Sequence, residues 1–198
     1  MAIVTLLTDF GCCDEYVGVI KGVVLSIHPG ASIVDISHDM DPQDVVGAAH
    51  VLRAAFSWFP QGTVHVAVVD PGVGTQRAIL AARCDGHLFL APDNGLLSPV
   101  LLSGSSVAVY AVENPALFRH PVSRTFHGRD IFAPVAARLA MGLPLTSVGP
   151  SIGADRIQSL GAMQFAAQPD PCAMVPWRGI LLLQPVPQLF PPLFHAPG

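Results

Sequence analysis

The sequence predicts an α/β fold, a mainly parallel sheet sandwiched by helices. Short apolar runs of strand length alternate with longer segments whose apolar residues recur at helical spacing, and parallel strands need such crossover helices. Three of these runs are followed by a carboxylate that stands two residues before a glycine, at residues 9, 70 and 93. Ligands of open α/β sheets bind at the carboxyl ends of the strands, so we expect the functional residues there.

The first elements alternate between strand and helix. Residues 3–7 form an apolar run that stops at Asp9, and a helix with Asp14 as its cap is expected next. Residues 32–36 predict a second strand, and a helix follows with Asp41 as a possible cap. The apolar residues that define the two helices are Val17, Ile20, Val24 and Ile27, then Val45, Ala48, Ala49, Leu52 and Phe56.

The valine-rich run at residues 64–69 predicts a buried strand that delivers Asp70 into a tight loop. Gly72 and Gly74 follow within the loop, and Arg77 completes it. Two interpretations are open for this segment. Either the loop carries the chemistry, or Asp70 begins an ordinary turn and Arg77 is a solvated loop residue.

The second half begins with a predicted hairpin, residues 79–84 and 87–90 around an Asp85-Gly86 turn. A loop at residues 91–95 then holds a carboxylate and an amide side by side, Asp93 and Asn94. Residues 107–112 predict another strand. Polar residues 125–130 precede a helix expected at residues 131–140, where free backbone N–H groups favour an anion.

The overall composition limits the classes of partner that the protein can bind. The chain has 198 residues, of which 51% are hydrophobic and 12% charged, with a net charge of −4 and a mean hydropathy of +0.52. The basic residues are scattered, which argues against nucleic acid and anionic membranes as partners. The excess of apolar residues favours a subunit interface.

The cysteines and the N-terminus indicate the compartment. Cys12, Cys13, Cys84 and Cys172 match neither a zinc site nor a secreted disulfide framework, so a reducing cytoplasm is expected. The N-terminus lacks the basic region and long apolar core of a signal peptide. No His-x-x-x-His or Cys-x-x-Cys pair is present, so we expect no catalytic metal.

The candidate site residues are those that the strand ends bring to one rim. A carboxylate beside an arginine stays ionised, and a nearby histidine can accept a proton from a bound water, so Asp70, Arg77 and His127 can orient a nucleophilic water. Asp9 or Asn94 can hold the paired hydroxyls of a ribose. The alternatives are that Asp9 caps a turn and that His127 is a packed helix-end histidine.

The remaining polar signals favour structural roles. His38, His50 and His65 lack a partner pattern in the sequence and are expected to be structural. The loop after Asp70 is not a phosphate-binding loop, because the lysine and hydroxyl residue that would follow are absent.

With these residues in hand, the chain resembles the S-adenosyl-L-methionine (SAM) hydroxide adenosyltransferases, which are relatives of the SAM-dependent fluorinases and chlorinases. The motifs follow the family's order and together cover residues 1 to about 155. They are Thr5-Leu6-Leu7-Thr8-Asp9-Phe10-Gly11, Tyr16-Val17-Gly18 with Lys21-Gly22, Ile33-Val34-Asp35-Ile36-Ser37-His38, Val68-Val69-Asp70-Pro71-Gly72-Val73-Gly74, Ala91-Pro92-Asp93-Asn94-Gly95-Leu96-Leu97 and Thr125-Phe126-His127-Gly128-Arg129-Asp130-Ile131-Phe132.

The resemblance implies a homotrimer in which SAM is hydrolysed to adenosine and methionine without a cofactor. The active sites are expected between the α/β domain of one subunit and the β-barrel domain of the next. Asp70, Arg77 and His127 match the family's water-activating triad, and the substrate-binding candidates are Asp9, Asn94, Phe126 and Asp14. The halogenating relatives carry a tyrosine at position 70 and a Tyr-Ser pair at 127–128, so the resemblance favours hydrolysis.

The resemblance also divides the chain. Residues 1–155 correspond to the N-terminal α/β domain, residues 156–179 to a linker and the start of the C-terminal domain, and residues 180–198 to a proline-rich tail. The family's Asp-x-Phe-Gly-Asn motif is expected after residues 179–183, but Gln184-Pro185-Val186-Pro187 follows instead. Codons read one base forward permit a similar motif, which suggests a frameshifted or truncated second domain. The rival hypothesis is a non-catalytic adenosine-binding or structural trimer subunit.

Overall fold

A computed structural model describes residues 2–153, 157, 159 and 160, and its elements follow the predicted alternation. The strands are β1 (Ile3–Thr8), β2 (Ser32–Ser37), β3 (Val64–Val68), β4 (Ile79–Cys84), β5 (His87–Pro92) and β6 (Val107–Ala111). The helices are α1 (Tyr16–Ile27), α2 (Val45–Ala55), α3 (Ser98–Ser103) and α4 (Ala133–Ala140).

The six strands form one sheet in the order β2-β1-β3-β5-β4-β6. Strands β2, β1, β3 and β5 are parallel neighbours, whereas β4 is antiparallel to both β5 and β6. Only β4 therefore runs against the other strands, and the prediction of a mainly parallel sheet is confirmed. The predicted hairpin is the β4–β5 pair, whose turn residues Asp85 and Gly86 both have positive φ, as a type I′ turn requires.

Helices cover both faces of the sheet, because successive residues of each buried strand point to opposite sides. On one face, Val66 and Val68 of β3 belong to the apolar cluster that contains α1 and α4. On the other face, Ala67 and Val69 belong to the cluster that contains Leu52 of α2. This arrangement confirms the sandwich predicted from the alternation of strands and helices.

Several local predictions were wrong at the helix ends. The cap of α2 is Asp44, whose carboxylate accepts the N–H of Gly47 at 2.8 Å, and not Asp41. The N-cap of α1 is Glu15, although Asp14 one residue earlier accepts the N–H of Tyr16 at 3.3 Å. Each of these two helices is preceded by two acidic residues that could cap it. The sequence does not show which of the two the backbone geometry selects.

Two elements were missed or begin earlier than predicted. The segment expected as a helix from residue 131 starts with a π-helical turn, Gly128–Phe132, and α4 continues from it. Helix α3 was not predicted, because its six residues are too few for an apolar periodicity to be visible.

Among the described residues, no helix is both long and apolar enough to cross a lipid bilayer. The linker and tail predicted at residues 156–198 lie outside the described residues, apart from positions 157, 159 and 160.

Candidate active site

The carboxyl ends of three neighbouring parallel strands meet at one edge of the sheet. Asp9 follows β1, Asp70 lies just beyond β3, and Asn94 lies just beyond β5. Arg77 lies two residues before β4, and because β4 runs antiparallel to β5, the first residues of β4 lie at this same edge. The topology therefore gathers four of the predicted site residues at one rim.

Asp70 and Arg77 form a buried ion pair across the loop. Nη2 of Arg77 donates to Oδ2 of Asp70, and the two side chains are only 10% and 4% exposed for Arg77 and Asp70 respectively. The backbone N–H of Gly72 donates to the other carboxylate oxygen of Asp70 at 3.1 Å, and Nη1 of Arg77 donates to the carbonyl of Ala78. Arg77 is therefore not a solvated loop residue, and the guanidinium compensates a carboxylate that would be costly to bury alone.

Gly74 lets this loop approach the segment that carries His127. Its φ of +77° is one that glycine adopts without strain, and a side chain there would collide with the carbonyl of Arg124. Arg124 precedes His127 by three residues, so the contact brings two distant parts of the chain together. The sequence pattern places Gly74 in the loop but does not indicate this role.

His127 lies within the electrostatic reach of the ion pair. Burial lowers the pKa of His127 below its ordinary value of 6.5, and the positive charge of Arg77 lowers it further. The carboxylates of Asp70 and Asp130 act in the opposite direction but do not cancel the effect. The imidazole is therefore neutral at pH 7, and its buried Nδ1 has no hydrogen-bond partner in the described part of the chain.

Asp130 is a further residue of this region, and the sequence pattern does not mark it as functional. Its fully buried carboxylate accepts hydrogen bonds from Nε and Nη2 of Arg129, at 2.7 and 2.9 Å, and from the backbone N–H of Ser123, at 2.8 Å. Burial alone would raise the pKa of Asp130, but these donors and the nearby Arg119 hold it below its usual value. The carboxylate of Asp130 thus fixes the segment that carries His127. An Arg-Asp pair that is adjacent in the sequence does not by itself reveal such a role.

Asp9 and Asn94 are both tied to the backbone. Oδ2 of Asp9 accepts the N–H of Gln43, which has a φ of +65°, at 2.9 Å. Nδ2 of Asn94 donates to the carbonyl of Val69 at 2.8 Å, and its Oδ1 accepts the N–H of Leu96 at 3.2 Å. A carboxylate and a primary amide each offer further hydrogen-bonding positions, so these bonds orient the two side chains without exhausting them.

Phe126 belongs to an aromatic cluster at the start of α1. Its ring meets that of Tyr16 edge to face at a centroid distance of 4.8 Å and that of Phe10 at 6.3 Å. The guanidinium of Arg129 lies 5.2 Å from the Phe126 centroid, within cation–π range. Asp14 is exposed and lies two residues before Tyr16. Tyr16 therefore contacts both residues, Phe126 through its ring and Asp14 through its backbone N–H. Phe10, which also belongs to the cluster, follows Asp9 directly in the chain.

The histidines expected to be structural have structural partners. His65 is fully buried, with Nδ1 at 2.8 Å from Thr5 Oγ1 and Nε2 at 3.2 Å from Nδ1 of His87. His50 is exposed on α2, and its Nδ1 lies 2.9 Å from the carbonyl of Val46. His38 is buried and pairs with Thr8 through a contact that the sequence pattern did not reveal.

Comparison with known proteins matches this architecture to one family. Residues 4–149 match the family described as the SAM hydroxide adenosyltransferase N-terminal domain. A relative named (R)-S-adenosyl-L-methionine hydrolase, from Salinispora arenicola, is 44% identical over 151 residues, which are 75% of this chain and 57% of the relative. The chain therefore spans just over half the length of that relative.

Two further likenesses extend the comparison. A solved structure from Thermotoga maritima, described as an uncharacterized conserved protein, superposes with a TM-score of 0.77 at 45% identity, covering 79% of this chain and 60% of the other. A fluorinase from an Actinoplanes species is more distant, at 31% identity over 178 residues, 78% of this chain and 60% of the relative.

Proposed function

The chain belongs to the SAM hydroxide adenosyltransferase family, and on this premise we propose that it hydrolyses SAM to adenosine and L-methionine. The observation that carries the proposal is the buried Asp70–Arg77 ion pair beside a neutral His127. A shielded carboxylate and an imidazole free to take a proton are the groups that a water nucleophile needs.

In the proposed reaction, the oxygen of a water or hydroxide attacks C5′ of the ribose. The C5′–S bond breaks, its electron pair goes to the sulfur of the departing methionine, and the proton of the water passes to the neutral imidazole of His127, while Asp70 holds the water by a hydrogen bond. The sulfonium is a good leaving group, so the protein needs little acid catalysis. Its main task is to position a desolvated nucleophile in line with the breaking bond. Arg77 holds the carboxylate of Asp70 in place for this task through its hydrogen bond.

We propose that the nucleoside lies against the same edge of the sheet. Asp9 would bind the ribose hydroxyls, Asn94 and Phe126 would line the nucleoside pocket, and Asp14 would contact substrate near the start of α1. No cofactor takes part in this scheme. Catalysis by a homotrimer, with sites completed by a neighbouring subunit, is part of the proposal, as is a cytoplasmic location, which suits the free thiols of Cys12, Cys13 and Cys84.

A halogenase reaction at the same site is disfavoured by Asp70. The positive charge of Arg77 is already paired with this buried carboxylate, so a halide brought beside the pair would add a second negative charge next to the first. A water molecule can instead accept or donate hydrogen bonds with the same groups. The fluorinase is also less similar in sequence to this chain, at 31% identity, than the SAM hydrolase relative, at 44%.

The proposal is tested by incubating the purified protein with SAM and measuring adenosine by chromatography. We expect adenosine from the native protein, and a fall of at least about 100-fold in the Asp70→Asn variant, since loss of a group that positions the nucleophile typically costs that much. Glu113→Gln is the matched control, because it neutralises an exposed carboxylate outside the site.

The alternative functions give different outcomes in the same experiment. Saturable adenosine binding without adenosine formation would support the non-catalytic adenosine-binding subunit. Absence of both would reject the proposed function and adenosine binding, and would favour the structural subunit. Formation of a 5′-halogenated nucleoside in the presence of halide salts would support the halogenase.

A further inference from the structure

A chain of polar contacts runs from the surface of α1 to the turn that contains Asp9. Nζ of Lys21 lies 2.5 Å from Oδ2 of Asp35 on β2. Nε2 of His38 lies 3.0 Å from Oδ1 of the same carboxylate. Nδ1 of His38 lies 2.8 Å from Oγ1 of Thr8, which accepts the N–H of Phe10 at 3.3 Å.

The protons on Thr8 and on the His38 ring can be assigned from which neighbouring groups donate and which can only accept. The hydroxyl of Thr8 accepts from Phe10, and the acceptor within reach of its own proton is Nδ1 of His38. An ionised carboxylate can only accept, so we assign the ring proton to Nε2, beside Asp35, and the hydroxyl of Thr8 as the donor to Nδ1. Burial alone would raise the pKa of Asp35, but Lys21 and His38 lower it below its ordinary value, so the carboxylate is ionised.

His38 holds the turn at a second point through its backbone. The N–H of Gly11 donates to the carbonyl of His38 at 2.8 Å. Residues 8, 10 and 11 are thus bonded directly or through Thr8 to one residue, and Asp9 lies between them. Thr8 is 1% and His38 is 5% exposed, so neither side chain can replace a lost partner with bulk water.

We propose that His38 is a positioning residue that fixes the Thr8–Gly11 turn and thereby the carboxylate of Asp9. The inference rests on the proposed function, in which Asp9 binds the ribose hydroxyls. A histidine suits this place because its two ring nitrogens can accept a hydroxyl proton on one side and present an N–H to a carboxylate on the other. The role is distinct from that of Asp70, Arg77 and His127, since His38 acts on binding through Thr8 and takes no part in proton transfer with the nucleophile.

Two pairs of variants test the contact of Nδ1 with Thr8 separately from the contact of Nε2 with Asp35. Asn at position 38 places a polar atom near the site of Nδ1, whereas Gln reaches toward the site of Nε2. His38→Asn therefore keeps a partner for Thr8, and His38→Gln keeps one for Asp35. Thr8→Ser retains the hydroxyl, and Thr8→Val removes it at nearly the same shape.

We expect His38→Gln and Thr8→Val to raise KM for SAM and the adenosine Kd together by about tenfold, with kcat changed less than about threefold. His38→Asn and Thr8→Ser should stay within about threefold of the native protein in both constants. Equal behaviour of the two members of each pair, or a loss confined to kcat, would overturn the proposal. Thermal unfolding of each variant identifies any that fail to fold.

Nuclear magnetic resonance gives a readout that does not depend on turnover. The ring of His38 should carry a proton on Nε2 and accept the Thr8 hydroxyl at Nδ1, and the Phe10 amide should exchange slowly with solvent and lose this protection in Thr8→Val. A ring protonated at Nδ1, or a Phe10 amide equally protected in Thr8→Val, would overturn the role of His38. If the native protein neither binds adenosine nor hydrolyses SAM, the proposed function fails, and these spectra still decide whether His38 holds the turn.

Discussion

The carbonyl oxygen of Arg124 occupies the space in which Gly74 would carry a side chain. An ideal Cβ on Gly74 would lie 2.2 Å from that oxygen, and the φ of Gly74 is +77°. The contact joins the Asp70–Arg77 loop to the segment that leads into His127. Assembly of the three candidate catalytic residues therefore depends on the absence of a side chain at position 74.

Gly74→Ala should lower the free energy of unfolding by about 1–3 kcal/mol, because it combines a strained φ with a collision against backbone. Adenosine formation should fall by more than the loss of folded protein explains, since the His127 segment must shift. Urea denaturation and the adenosine assay measure the two effects.

Gly62→Ala is the control for this prediction. Gly62 has a φ of +85° but open space around its Cβ position, so the variant is strained without a collision. If both variants lose equal stability and activity, the contact with Arg124 has no special importance.

The titration of His127 should lie below pH 6.5, because burial and the Arg77 charge both disfavour the protonated ring. In the proposed mechanism the neutral ring accepts the proton, so kcat/KM should fall only as the pH drops below that pKa. Proton NMR of the imidazole follows the titration directly.

Two substitutions move the His127 titration in opposite directions. Arg77→Gln removes a positive charge and should raise the pKa of His127, whereas Asp130→Asn removes a negative charge and should lower it. A native titration at or above pH 6.5, or shifts of the reverse sign, would contradict the assigned electrostatics.

Acid should destabilise the fold through the buried His65. Burial, helped by the neighbouring His87, lowers the pKa of His65 to about 3, against about 6.5 in the unfolded chain. Between these values the unfolded state binds more protons, so the stability from this source is complete above pH 6.5 and is lost as the pH falls toward 3. The slope is at most about 1.4 kcal/mol per pH unit for one histidine.

Urea denaturation between pH 4.5 and 7.5 measures this slope, and His65→Gln should make it shallower. His50→Gln, at an exposed position on α2, should leave it unchanged. An equally steep slope in His65→Gln would assign the acid sensitivity to other groups.

The described cysteines should differ in reactivity. Burial, together with the nearby Asp85 carboxylate, raises the pKa of Cys84 to about 11, so almost none of it is thiolate at pH 8. Cys12 and Cys13 are exposed. Iodoacetamide should label Cys12 and Cys13 in the native protein and Cys84 only after unfolding, as peptide mass spectrometry would detect. Labelling of Cys84 at the rate of the exposed pair would mean that the β4 end opens readily.

The order of strands and helices was accessible from the sequence because apolar periodicity is a property of short segments. The runs ending at Thr8 and Val68 were recognised as strands, and the Asp85-Gly86 turn as a hairpin. The cap of α2 was misplaced because Asp41 and Asp44 offer similar chemistry three residues apart. Only the backbone path selects Asp44.

By itself, the sequence determined the α/β class and the expectation that residues after the strand ends share one edge, since alternating local periodicities leave few ways to build a sheet. Only the tertiary structure decided that Arg77 is buried against Asp70, that Gly74 admits the His127 segment, and that His38 pairs with Thr8. The physical reason is that burial, hydrogen-bond partners and pKa values depend on atoms supplied by distant segments. Strand register and close backbone packing fix those distances, and neither can be read from a local pattern of residues.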